Sequence, residues 1–164
     1  MLNLIANTDM EKEVYRVLNP VISDKGLKII KIQFQSGKKS KLLIYLDKLD
    51  GKLTVDECGD VSIEINSLLD IEAIIKDPFL LEVSSAGIDR HLTSSEDFVR
   101  YQNSNVKVRS ETYTEKGKLI RHGPNSLTLS DNNGEKSIDL SSVLDVKIDL
   151  EGMSLENIKE MEFK

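Results

Sequence analysis

The 164-residue chain has 30% charged and 5% aromatic residues, no tryptophan and a formal net charge of −6. Those totals exclude a disordered or disulfide-stapled chain and fit a globular, intracellular protein of one domain or two small ones. The charge argues against a sequence-independent binder of naked nucleic acid, and no apolar run approaches the ~18 residues of a membrane-spanning helix.

The opening MLNLIANTDM has neither a basic stretch nor a long apolar core, so no signal peptide is read and a cytoplasmic protein is expected. Thr8 or Asp9 caps a first helix, in which Val14, Val17, Leu18, Val21 and Ile22 recur at helical spacing. Pro20 predicts a kink or early stop, and Gly26 ends the element. Ile30, Ile32 and Phe34 then alternate with Lys31, Gln33 and Gln35, the period of a half-buried strand. The loop 36–40 reverses the chain into a second strand, with Leu42, Ile44 and Leu46 on one face and Leu43 and Tyr45 on the other. After the Asp50-Gly51 turn, Thr54-Val55-Asp56-Glu57 has the capping-box pattern of a helix start. Cys58, Val61, Ile65 and Leu68 line one stripe of that helix, while Asp60 and Glu64 face out. Cys58, the only cysteine, reads there as a small buried hydrophobe. Asp77-Pro78 breaks the chain before a third strand over 79–84. This order predicts a three-stranded sheet covered by two helices, the second helix being a right-handed crossover.

Ser94-Ser95-Glu96-Asp97 starts a short helix carrying Phe98, Val99 and Tyr101. Five short strands follow, over 106–110, 116–121, 127–130, 135–139 and 145–150, with turns at Gly123-Pro124 and at 131–134. Strands this short and closely spaced indicate a small barrel. The tail 153–164 reads as a helical turn or a frayed end.

Charge comes in blocks. Residues 24–52 hold eight lysines against three aspartates, a net +5, and 53–77 carry −6. Residues 100–121 return to +4 and 139–164 to −4. Alternation of this kind suits a partner that is itself mixed, such as RNA with a basic protein, or else marks ordinary solvated faces.

The stretch LEVSSAGIDRHL, 81–92, admits three readings: a nucleophile, a phosphate cradle or a domain junction. A serine elbow needs Gly-x-Ser-x-Gly with a histidine base, but only Gly87 is present. His91 and His122 stand without a supporting motif and read as lone surface or turn residues. No Gly-x-x-x-x-Gly-Lys-Ser/Thr or Gly-x-Gly-x-x-Gly run builds a phosphate loop, although Arg90 suits a phosphate. The junction reading gives Gly87 an unusual backbone angle, lets Ser84 and Ser85 satisfy free amides, and has Asp89 and Arg90 pin two domains by hydrogen bonds. One cysteine and two distant histidines make no metal pair, and Asp56 and Glu57 near Asp47, Asp50 and Asp60 suit a helix start better than a cation. No metal or cofactor is expected. Lys38, Lys39 and Lys41 at the hairpin tip either touch phosphates, positioning a partner without reading sequence, or simply keep the edge soluble.

The run Leu81, Glu82, Val83, Ser84, Ser85, Gly87, Asp89, Arg90 and Leu92 resembles the signature of the ribosome maturation factor RimP family, a strand running into Ser-Ser-Pro-Gly-Leu-Asp-Arg-Pro-Leu. Tyr45-Leu46-Asp47-Lys48, followed by Gly51, Thr54, Asp56, Glu57, Cys58 and Val61, is similar to the family's strand-turn-helix segment. Ala86, Ile88 and His91 depart from the pattern, and two lost prolines loosen the junction. Gly117 and Leu119 align with a Gly-x-Leu strand, but Thr112, Tyr113, Thr114 and Glu115 replace the basic-aromatic residues that normally precede it. The resemblance implies an α+β protein: an N-terminal three-stranded α/β, KH-like domain over 1–90, then a short linking helix and an SH3-like, Sm-related small β-barrel within 91–164. It also implies a monomeric assembly factor without catalysis. Its implied partner is the free small ribosomal subunit, meaning rRNA together with the very basic ribosomal protein uS-twelve, and it assists rRNA folding there. Lys38, Lys39, Lys41, Asp47, Ser84, Ser85, Gly87, Asp89 and Arg90 are the expected contact residues, with Asp89-Arg90 displayed near the binding surface. The alternative is a general RNA chaperone acting through an oligomeric Sm-like barrel.

Overall fold

The computed structural model describes residues 2–161 and is α+β, in two compact units that divide between Ala86 and Gly87. In the first unit, α1 (Leu2–Ile5) precedes α2 (Asp9–Asp24), whose N-cap Thr8 forms a reciprocal capping box with Glu11. Pro20 does not stop α2, contrary to expectation: it lies on the exposed side of the helix, as does Arg16 four residues before it, the residue whose carbonyl loses its usual helical partner there. Val14, Leu18 and Ile22 meanwhile form an unbroken buried stripe. Gly26, at φ +72, makes the turn that follows.

The first sheet has the order β1-β2-β3, from β1 (Leu27–Gln35), β2 (Lys41–Lys48) and β3 (Leu80–Ser85). β1 and β2 are antiparallel, while β2 and β3 are parallel and joined by α3 (Val55–Glu72). The expected alternation in β1 breaks at a bulge between Ile29 and Lys31, which inserts one residue and shifts the face. Leu27, Ile29 and Ile32 therefore join the core with Leu42, Ile44 and Leu46, and Phe34 packs only partly against it. Lys31, expected on the polar side, is 0% exposed. Its ammonium donates to the Leu4 carbonyl at 2.8 Å and to Asn7 Oδ1 at 3.3 Å, so hydrogen bonds at the end of α1 replace lost water. On α3 the buried stripe is Cys58, Val61, Ile65 and Leu69; Leu68, expected in that place, is half-buried at its margin. Burial, and then the neighbouring Glu57 carboxylate, push the Cys58 thiol pKa up, as befits an unreactive core residue.

The Thr54 capping box forms as read, and Lys48 Nζ adds a hydrogen bond to Glu57 Oε1 at 2.6 Å. That lysine, with the Thr54 backbone N–H, lowers the Glu57 carboxyl from 4.5 to about 2. A carboxylate lowered on folding stabilises above its unfolded value, and the contribution fades as pH falls from 4.5 through about 2. Acid titration of the urea midpoint is therefore expected to show a decline in that window that Glu57→Gln flattens. An unchanged titration in the variant would exclude the assignment.

The second unit opens with α4 (Ser95–Arg100), capped by Ser94 and Asp97, and then forms an antiparallel sheet of order β7-β6-β5-β4-β8. Its strands are β4 (Asn105–Ser110), β5 (Thr114–His122), β6 (Ser126–Asp131), β7 (Gly134–Asp139) and β8 (Val143–Ile148), with β7 and β8 outermost among these strands. β8 starts two residues before the expected strand, since a 3-10 turn (Leu140–Ser142) capped by Asp139 delivers Val143 to the core. Val106, Val108, Leu119, Leu129, Val146 and Ile148 face inward from alternate positions. Gly117 is required by close approach: a Cβ there would lie 2.9 Å from the Ser130 carbonyl oxygen of β6. Beyond β8, α5 (Leu155–Met161) occupies part of the expected tail element, and 162–164 lie outside the described residues.

Candidate functional site

Among the expected contact residues in the first unit, Lys38 and Lys39 are exposed in the hairpin loop that Gln35 and Lys41 close as a cross-strand pair. Lys41 carries a counter-ion, with its ammonium 3.2 Å from Glu82 Oε1 on β3. Asp47 is half-buried, and its Oδ1 accepts from the Lys48 backbone N–H at 3.0 Å. Ser84 and Ser85 are exposed on the sheet's edge strand, in register with Tyr45 and Leu46, and the following Ala86 N–H donates to the Leu46 carbonyl at 2.8 Å. The sheet thus places both serines at the end of β3 away from the Lys41 pairing at its start.

Gly87, Asp89 and Arg90 belong to the second unit. Gly87 has no positive φ, contrary to the junction reading. A Cβ there would instead lie 3.1 Å from Asp89 Oδ1, so what the glycine supplies is room for that carboxylate. Asp89 is exposed and pairs with Lys147 at 3.2 Å. Arg90 is not displayed: its side chain is 7% exposed, with Nη2 3.1 Å from Asp97 Oδ1 and its guanidinium 5.5 Å from the centre of the Tyr101 ring. A cation withdrawn from water needs such partners, which accounts for a buried arginine in a motif that reads as surface loop.

His91 is also buried, contrary to its reading as a lone surface residue, with Nδ1 2.7 Å from Asp145 Oδ1 and a backbone bridge to Lys147. Leu92 N–H donates to the Val146 carbonyl and Ile148 N–H to the Arg90 carbonyl, so 90–92 runs beside β8 as an added strand segment. The His122 ring packs against Phe98, with centroids 5.7 Å apart. Both histidines are thus engaged in packing or pairing contacts. Among the described residues no group of three His, Cys, Asp or Glu side chains could hold a metal ion, and no helix is long and apolar enough to cross a membrane.

One cluster escaped sequence reasoning. On the outward face of the second sheet, Lys107 of β4 is directly opposite Lys116 of β5 and directly opposite Lys147 of β8. Arg109 lies two residues along β4 and Lys118 two along β5, on the same face. The signal was present in the +4 block of 100–121, whose basic residues alternate with inward valines and leucine, but a pairing register cannot be read from one strand at a time.

Residues 17–89 match the family model described as the RimP N-terminal domain.

Proposed function

We propose, for a chain that belongs to the RimP family of ribosome maturation factors, that it assists assembly of the small ribosomal subunit by binding the free subunit. The family associates with ribosomal subunits and is not a known enzyme family. The observation that carries the reading is the family match over 17–89, which ends within the Ser84-Ser85 to Arg90 signature stretch. In this reading Lys38 and Lys39 contact rRNA phosphates, with Lys41 beside them. The exposed edge at Ser84 and Ser85, with Asp47, Gly87 and Asp89, completes the contact set, while Arg90 serves it from within by holding the start of the second unit. The exposed acids of α3, among them Asp56, Asp60, Glu64 and Asp70, suit a basic ribosomal protein, and the family resemblance points to uS-twelve.

The first unit is KH-like and the second an SH3-like, Sm-related barrel in this reading. Bulges at Arg109/Ser110 and Leu119/Arg121 support the barrel, since bulges bend and twist the strands that carry them. The protein works as a cytoplasmic monomer without catalysis.

Co-sedimentation of the full chain with free small subunits, assembled ribosomes and naked rRNA, across a salt series, tests this. Binding to free small subunits alone is the expected result. Equal binding to naked RNA that collapses steeply with salt, together with an oligomeric mass in solution, would replace it with the general RNA chaperone. No binding to any of the three would overturn it.

A further inference from the structure

We propose that the in-register row Lys116, Lys107 and Lys147 on the outward face of the second sheet is a docking site for the phosphate backbone of RNA, held in readiness by the protein's own carboxylates. The proposal rests on the rRNA-binding reading and adds a surface that the hairpin lysines of the first unit do not include.

The register carries the argument. Residues directly opposite in an antiparallel pair have Cβ atoms about 4.5–5.5 Å apart, and like charges there are destabilising. Here that arrangement occurs twice in succession, Lys116 against Lys107 and Lys107 against Lys147. A solvated face chosen only for solubility intersperses its signs. Three lysines abreast instead gather positive charge over roughly 10 Å of adjacent strands, the length in which one nucleic-acid strand presents about three phosphates. Lys118 extends the row along β5, while Arg109, two residues along β4, stands opposite Asp145 of β8, which marks where the row ends on that side.

The acids around the row show how it is held without RNA. Lys116 pairs with Glu151, and Asp149 Oδ2 lies 3.8 Å from the same ammonium. Lys147 pairs with Asp89 at 3.2 Å. None of these carboxylates lies within a strand of the sheet: Asp149 and Glu151 follow the end of β8, and Asp89 lies at the start of the unit, before α4. Glu151 is 73% exposed, so water already meets its carboxylate and an incoming phosphate can displace it at little cost. The carboxylates also set a threshold, since a chain of net charge −6 with its lysines half-neutralised does not gather every polyanion it meets.

The chemistry of the face favours backbone over base. Where β4 pairs with β5 and β8, its outward positions are Asn105, Lys107, Arg109, Thr114, Lys116, Lys118, Asp145 and Lys147, without an aromatic ring. A sheet that reads RNA bases stacks them on aromatic rings. This one offers four ammonium groups, the Arg109 guanidinium and short polar side chains, with Asp145 as its one acid, and such cations position a strand by its phosphates whatever its sequence.

The test uses the full chain and polyuridylate, an unstructured strand with no sequence information. Binding is followed across a salt series for the native protein, for Lys107→Gln/Lys116→Gln/Lys147→Gln and for Glu151→Gln, with circular dichroism verifying that each variant is folded. Each phosphate neutralised on a single strand contributes about −0.7 to the slope of log affinity against log salt, so the triple variant is expected to flatten that slope by roughly 2. Glu151→Gln is expected to tighten binding, because it removes the internal competitor. An unchanged slope in the triple variant, or no binding by the native protein at low salt, overturns the proposal. Equal or tighter binding of polyglutamate at the same salt overturns it too, since the face would then suit an acidic polypeptide. Sedimentation of the native protein with free small subunits runs alongside. If that alone fails, the assembly reading falls while polyuridylate still decides the lysine row; if only the polyuridylate arm fails, the row falls and the assembly reading stands.

Discussion

Asp97→Ala is expected to destabilise the second unit by about 3–5 kcal/mol, the usual cost of breaking a buried ion pair from one side. Asp97 Oδ1 accepts from Arg90 at 3.1 Å, while Oδ2 accepts from the backbone N–H groups of Thr93 at 3.0 Å and Ser94 at 3.2 Å. Removing the carboxylate takes the Asp97 ion pair from a guanidinium that is only 7% exposed and leaves two amides near the start of α4 without that acceptor. Asp97→Asn is expected to recover less than half of the loss, because its amide group turns donors toward donors. Urea unfolding followed by a probe in the second unit gives the answer, with the two units free to unfold in separate transitions. A loss below about 1 kcal/mol would mean that water reaches this site and screens it. The same experiment bears on function. If Asp97→Ala impairs subunit binding only as far as it unfolds the second unit, Arg90 acts by anchoring the segment that follows the serines and makes no direct contact.

Glu11→Ala is the second large effect, about 3–5 kcal/mol on the first unit: three part-buried amides lose their acceptor, each at the lower end of the about 1–3 kcal/mol such a loss costs. Glu11 is 4% exposed. Its Oε2 accepts from the N–H groups of Asn7 at 2.8 Å and Thr8 at 3.0 Å, and its Oε1 accepts from Phe34 N–H on β1 at 2.9 Å. One carboxylate therefore closes the capping box of α2 and ties that helix to the first strand. An isolated capping residue is worth about 1 kcal/mol, so a loss no larger than that in the urea midpoint would show that the strand tie adds nothing. Glu57 occupies the equivalent place in the box of α3 but is more exposed, with Lys48 rather than a strand amide as its further partner. Its contribution, present in full above about pH 4.5, is accordingly read as the part of the urea midpoint that acid removes between 4.5 and about 2.

These boxes show what local chemistry makes legible. Thr54 with Glu57 follows from the spacing alone, because both hydrogen bonds lie within four residues of chain. The stripe of α2, all but one position of the stripe of α3, the hairpin and the five short strands were open to reading, since each is a periodicity of 3.6 or 2 acting over a few residues. The family signature was visible for a related reason: its small and polar residues sit together in one short run, 84–90.

Other features depend on partners far along the chain, and those the tertiary structure decided. The bulge after Ile29 moved the core face of β1, because strand pairing with β2 and not alternation alone sets which residues turn inward. Lys31 reads as a surface lysine until Leu4 and Asn7 are placed against it. Arg90 and His91 read as loop residues until Asp97 and Asp145 arrive from elsewhere in the fold. The lysine row needed the register of three strands, since Lys107, Lys116 and Lys147 become neighbours only when hydrogen bonding closes the sheet. The sequence by itself determined most of the helices and strands, because short-range periodicity and capping specify them, and it carried the signature that resembles the family, because those residues are contiguous. Which charges are buried and which stand abreast was left to the tertiary structure, because desolvation and Coulomb interaction depend on distance in space rather than separation along the chain.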